Sequence, residues 1–235
     1  LPPDINHGMY GFSVDNGAIR YALSAIKSIG RPVIEGIVRE REEHGEYTSL
    51  KTFVERNIDQ INKRVVENLI KAGALDCLEG NRKQKMTIYT QIIDSINQDK
   101  KHTMAGQLSL FDIASEEDKK EFEIRMPQVE EYPKEIILTF EKEVLGIYLS
   151  GHPLERYRNM MEKMISAKTS DFQPDDETGI PEVYDNQKVI VGGMITDKTI
   201  KYTKNNKVMA FLTVEDLALS RSWYFRVITK NARCS

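Results

Sequence analysis

Apolar residues recur at helical spacing through the first hundred positions and at every second position near the end, with a polar stretch between. Ile19, Leu23 and Ile26 predict a helix over 19–27. Ser28-Ile29-Gly30 interrupts it, and Pro32 suits the first turn of a new helix. That helix carries Val33, Ile34, Ile37 and Val38 inward and Glu35, Arg39 and Arg41 outward. Thr48 or Ser49 is placed to cap a short helix bearing Leu50, Phe53 and Val54. The plan then repeats: Val65, Val66, Leu69 and Ile70 form a helix, Ala72-Gly73-Ala74 a turn, and residues 82–97 a longer helix with a broad apolar face. The first 18 residues, rich in Gly, Pro, Asn and Asp, read as irregular.

From Gln98 to Lys134 the chain is polar, acidic and Pro-punctuated apart from one apolar cluster, Gln107-Leu108-Ser109-Leu110-Phe111. Exposed hydrophobes in a solvated linker lower solubility, so such a cluster points to a docking partner. Ile136–Leu149 returns to helical spacing, with Phe140, Val144, Ile147 and Tyr148 inward, and Ser150-Gly151-His152-Pro153 stops it. A further helix is expected over Leu154–Met164. Past Asp185 the period becomes two: Val189, Val191 and Met194, then Val208, Phe211, Leu212 and Val214, with Lys204-Asn205-Asn206-Lys207 as a hairpin turn and Trp223–Ile228 as a third strand.

Composition narrows the class. The 235-residue chain is 40% hydrophobic and 29% charged, with no apolar run near the ~20 residues of a membrane helix, so no membrane partner is expected. Its opening Leu1-Pro2-Pro3-Asp4 resembles neither a signal peptide nor an initiator, and we expect a piece of a longer protein. The two cysteines, Cys77 and Cys234, match no ligand spacing, which suits a reducing, cytoplasmic setting. The net charge of −3 hides an acidic stretch over 101–140 and a basic tail from 188 onward. Local basic surface governs nucleic-acid affinity, because phosphate contact is short-range and releases counterions.

Residues Ala25 to Ile34 have the pattern of a helix-hairpin-helix. Apolar residues bracket a turn whose Gly30 admits a phosphate closely, beside Ser28. Amides opening the second helix form an anion site, with Lys27 and Arg31 as flanking charge. Such a contact reads backbone and not bases. Leu69 to Leu75 is a second copy that keeps Lys71 and Gly73 but has Leu75 where a cation would help. It is expected to be a weaker phosphate site or purely structural.

Longer strings add a family. Pro3-Asp4-Ile5-Asn6, Ile19-Arg20-Tyr21-Ala22-Leu23, Asn62-Lys63-Arg64, Leu69 to Asp76, Asn81-Arg82 and above all Glu141 to Leu154 resemble bacterial DNA polymerase III alpha subunits over roughly residues 1–216. The resemblance implies a multidomain fold: the end of a fingers region (1–18), a mainly α tandem helix-hairpin-helix domain (19–97), an acidic linker (98–134), a helical connector (135–185) and a small all-β OB-like barrel that is incomplete (186–235). It assigns Gln107, Leu108, Ser109, Leu110 and Phe111 to sliding-clamp binding, and duplex DNA to the hairpins. Other replicase subunits are further implied partners. The parent would be a DNA-directed DNA polymerase using two Mg²⁺ ions, while this piece would hold no cofactor and no catalytic palm.

For the tail, Lys198, Lys201, Tyr202, Lys204 and Lys207 are the residues expected to meet single-stranded DNA, with Phe211 in the barrel core. The sequence leaves the family pattern after Asp216, so the OB domain is truncated or altered. His152 is expected to be structural, and Asp175-Asp176 and Glu116-Glu117-Asp118 to be solvated charge, so neither a catalytic nor a metal site is assigned. The rival reading is a non-catalytic adaptor or repair protein that uses the same hairpins and clamp peptide.

Overall fold

A computed structural model of the chain describes residues 1–104, 124–175, 178–202, 208–217 and 223–228, in two units, Leu1–Ser150 and Gly151–Ser235. The first unit is helical. A small hairpin, β1 (Ser13–Asp15) and β2 (Ala18–Arg20), leads to a single 3-10 turn, Leu23–Ala25, and then to α1 (Arg31–His44), α2 (Leu50–Asn57), α3 (Lys63–Ala72), α4 (Arg82–Met104) and α5 (Lys134–Leu145).

The helix expected over 19–27 is therefore absent. Ile19 lies in β2 and is 68% exposed, while Leu23 and Ile26 are buried by the 3-10 turn. Spacing of three or four also suits a strand end followed by a tight turn, and the hairpin made by Asn16 and Gly17, both at positive φ, decides between them. Nor are residues 1–18 a separate region. Ile5 is fully buried in the helical core, its N–H donates to Ala74 (3.0 Å), and Arg41 Nη1 donates to the carbonyls of Ile5 (2.8 Å) and Gly8 (2.9 Å).

Local chemistry sets the helix starts. Ser49 accepts from the Thr52 N–H (3.1 Å) and Asn62 from the Val65 N–H (3.0 Å), each satisfying an amide that a helix start leaves without an intrahelical partner. The inward faces of α1 to α4 share one core, including Ile34, Ile37, Phe53, Val66, Leu69, Ile70 and Ile92. Burying each such side chain contributes about 1.5–3 kcal/mol. Tyr47 is buried among them with its hydroxyl donating to the Ile37 carbonyl (2.8 Å).

The connector expected over 135–185 is divided. Helix α5 belongs to the first unit, where Val144 and Leu145 join the core. In the second unit, the helix expected over 154–164 is a 3-10 turn, Glu155–Tyr157, followed by α6 (Arg158–Met164). Beyond it lie β3 (Met194–Tyr202), β4 (Val208–Glu215) and β5 (Trp223–Ile228), antiparallel in the order β3-β4-β5 with a register shift between Ile195 and Asp197. Among the described residues this sheet does not close into a barrel, in keeping with an incomplete OB-like domain.

Candidate nucleic-acid interface

At the first hairpin the chain leaves the 3-10 turn, passes Lys27–Gly30 and enters α1. The residue in the left-handed region is Ser28 (φ 64), whereas Gly30 is the extended N-cap of α1 (φ −76), where a Cβ would make only an ordinary contact with Pro32 Cδ (3.7 Å). The turn therefore does not need Gly30 for its backbone geometry. A missing Cβ there serves approach from outside. Among the described residues, the backbone N–H groups of Ser28, Ile29, Gly30 and Arg31 have no hydrogen-bond partner, and no side chain caps the helix. Pro32 has no N–H to satisfy. Successive free amides at a helix start, with its positive dipole end, make an anion-binding concavity.

The two expected cations are partly occupied. The Lys27 N–H donates to Val144 (2.9 Å) and its ammonium to the Glu143 carbonyl (2.7 Å), so Lys27 closes the C-terminal end of α5. Arg31 is exposed, paired with Glu35 one turn on (2.7 Å) and stacked over Tyr10 (5.0 Å). Glu35 holds the Arg31 guanidinium above its ordinary value. A solvent-exposed pair of this kind is weak and can be exchanged for a phosphate.

The second hairpin differs at each of these points. Gly73 has φ 78 and caps α3, its N–H bonded to Ile70, and a Cβ on it would overlap the Arg82 guanidinium. The start of α4 is closed: Asn81 N–H donates to Gln84 Oε1 (2.8 Å), Arg82 N–H to Glu131 Oε2 (2.9 Å), Lys83 N–H to Glu131 Oε1 (3.2 Å) and Gln84 N–H to Asn81 Oδ1 (2.8 Å). The Asn81–Gln84 exchange is a capping box, and the Glu131 carboxylate sits where a phosphate would.

Lys71 is also withdrawn. Its side chain is 12% exposed and its ammonium lies 3.0 Å from Glu67 and 2.9 Å from Glu143. Burial opposes its charge, but the two carboxylates outweigh burial and raise its pKa. Arg82 behaves alike: burial disfavours the guanidinium, yet Asp76 (2.7 Å) and the buried Glu141 (3.5 Å) hold it above its ordinary value. Glu141 in turn accepts from the amides of Leu149 (2.8 Å) and Ser150 (2.9 Å) and from the Ser150 hydroxyl. Of the two roles open to this hairpin, its geometry suits the structural one.

Between the hairpins runs a groove of about 520 Å³ whose walls include Lys27, Ser28, Lys63, Arg64 and Lys71. Lys63 and Arg64 are absent from the expected contact residues. One signal for them exists in the sequence: two cations in the first turn of a helix oppose its dipole, so they do not favour the helix and invite another explanation.

The remaining candidates are dispersed. Gln107, Leu108, Ser109, Leu110 and Phe111 lie outside the described residues, as do Lys204 and Lys207. On β3, Lys198 and Tyr202 face one side of the sheet and Lys201 the other, since alternate residues share a face. Lys201 stands over the ring of half-buried Phe211 (5.5 Å). The strand-binding set is thus split between two faces. Glu40, Glu43 and His44 come together at the end of α1, but Glu43 and His44 are exposed, and Arg56 donates to Glu40 (3.0 Å), the main reason that carboxyl lies below its ordinary value.

Comparison with known proteins places this geometry. Residues 1–85 match the helix-hairpin-helix motif family. The chain is 34% identical to DNA polymerase III subunit alpha of Vibrio cholerae over 218 residues, which is 92% of the chain, and 34% identical to that of Borreliella burgdorferi over 217 residues. The chain is homologous to a segment of DNA polymerase III alpha subunits. It spans about 18% of the length of those two relatives. Against the alpha subunit of Xylella fastidiosa the identity is 38% over 167 residues, 70% of the chain and 14% of the relative. The helix-hairpin-helix match covers the free turn at Ser28–Arg31 and the capped second hairpin together.

Proposed function

We propose that this chain is the part of a replicative DNA polymerase that holds duplex DNA by its backbone and ties the enzyme to its sliding clamp. The observation that supports it is the run of free amides from Ser28 to Arg31, open at the start of α1, on a chain homologous to alpha subunits. Those amides take phosphate oxygens, Arg31 exchanges Glu35 for a phosphate, and no base edge is read. The peptide Gln107–Phe111 docks on the clamp, with Gln107 giving amide hydrogen bonds at a pocket rim and Leu110 and Phe111 filling an apolar cleft. Its affinity is modest, because ordering a short peptide offsets much of the contact energy. The sheet approaches single-stranded template through the Lys198 and Tyr202 face. Nucleotide addition with Mg²⁺ belongs to the parent chain and other replicase subunits complete the assembly.

A lyase of the repair type would need a reactive lysine within reach of DNA. Burial lowers the pKa of Lys85, as such chemistry requires, but its side chain is fully buried and its ammonium is bonded to the Gly80 carbonyl. The test is titration of labelled duplexes of unrelated sequence at several salt concentrations. Arg31→Ala weakens binding to all of them about equally and lowers the salt slope by about one. An unchanged slope removes Arg31 from the contact. Replacing Leu110 and Phe111 by Ala abolishes clamp pull-down with DNA affinity intact, and surviving clamp binding refutes the tether.

A further inference from the structure

We infer that the groove beside the first hairpin is a second phosphate seat, with Arg64 as its principal cation. This rests on the reading that the Ser28–Arg31 turn binds duplex backbone, and it extends the contact from the turn onto α3. The groove of about 520 Å³ has room for a phosphate with part of its sugar, and Ser28 belongs to both sites, so a strand held at the turn continues into it. The two walls are locked together: Asn68 Nδ2 on α3 donates to the Lys27 carbonyl (2.7 Å), and Lys27 N–H to Val144 on α5 (2.9 Å).

The charges sort themselves by partner. Both groove carboxylates, Glu67 and Glu143, are engaged by Lys71, at 3.0 and 2.9 Å, and the lining sets the four cations Lys27, Lys63, Arg64 and Lys71 against these two. Lys27 is turned to the Glu143 carbonyl. Lys63 pairs with Asp94 (2.7 Å) at a side-chain exposure of 47% and 63%. Arg64 is exposed and, among the described residues, its side chain has no hydrogen bond or ion pair. Its planar guanidinium suits two phosphate oxygens at once, which an ammonium cannot match. A phosphate here also turns the unfavourable meeting of Lys63 and Arg64 with the α3 dipole into a favourable one.

The test uses the 235-residue chain, a fluorescent duplex, anisotropy over a salt series, and nuclear magnetic resonance of the α3 amides with inorganic phosphate alone. Arg64→Ala is expected to weaken duplex binding roughly tenfold at low salt and lower the salt slope by about one, with Arg64→Lys intermediate in affinity but normal in slope. Lys51→Ala, an exposed cation on α2 paired with Glu55, leaves both unchanged. If wild type binds duplex and Arg64→Ala binds with the same slope, the seat is refuted and the hairpin reading stands. If wild type does not bind duplex, the hairpin reading itself fails. Shifts of α3 amides with inorganic phosphate, together with an unchanged duplex slope in Arg64→Ala, would mean a free-anion site and overturn the proposal.

Discussion

The two hairpins share a turn plan and differ in what reaches their amides. At the first, four successive N–H groups are free among the described residues and Gly30 has room for a Cβ. At the second, Glu131 and the Asn81–Gln84 box take the opening amides of α4, and Gly73 is pressed against Arg82. One repeat leaves its opening amides exposed, and its twin uses them to hold α3, α4 and α5 together. Duplicated motifs can divide labour in this way because an anion site and a helix cap are the same physical object. What differs is whether the anion comes from the chain or from outside.

The strongest test of the structural hairpin is Glu141→Ala. It leaves the Arg82 guanidinium and the Leu149 and Ser150 amides without their buried carboxylate, and a loss of about 3–5 kcal/mol is expected in urea unfolding. A loss below 1 kcal/mol would mean that Asp76 alone suffices for Arg82.

Glycine substitution probes both turns at once. Gly73→Ala meets a positive φ and the Arg82 side chain, and should cost about 1–3 kcal/mol. Gly30→Ala should cost no more than about 1 kcal/mol while weakening duplex binding, since within the fold the new methyl meets only Pro32 Cδ, at an ordinary 3.7 Å. Equal costs for the two would mean that the hairpins do not differ in their need for glycine.

Glu131→Ala is the mildest. Uncapping the Arg82 and Lys83 amides should cost about 1 kcal/mol in thermal or urea unfolding. DNA affinity should hold or rise, because a carboxylate is lost and an anion site opens. A fall in DNA affinity with unchanged stability would place Glu131 in the duplex contact instead.

Much of this could be read along the chain. The helices α1 to α4 follow from apolar spacing, Pro32, Ser49 and Asn62, and Gly73 marks its turn through the left-handed backbone it adopts. Each depends on neighbours within a few residues. The supposed helix over 19–27 did not form, because its three apolar residues fit a strand end and a tight turn equally well. The burial of Ile5 depends on Ala74, far along the chain, so the apparent domain edge at 18 had no local sign to correct it.

The sequence alone determined two hairpin turns, a polar segment with one apolar cluster, a sheet at the end, and a family. Only the tertiary structure decided which hairpin stays open. Glu131 lies 49 residues from the amide it caps, and Glu143 lies 72 from Lys71. Local propensity cannot carry information over such separations. Folding places the carboxylates on the second hairpin and leaves Arg64 exposed and the Ser28–Arg31 amides uncapped, so packing separates the hairpin that is open from the one that braces.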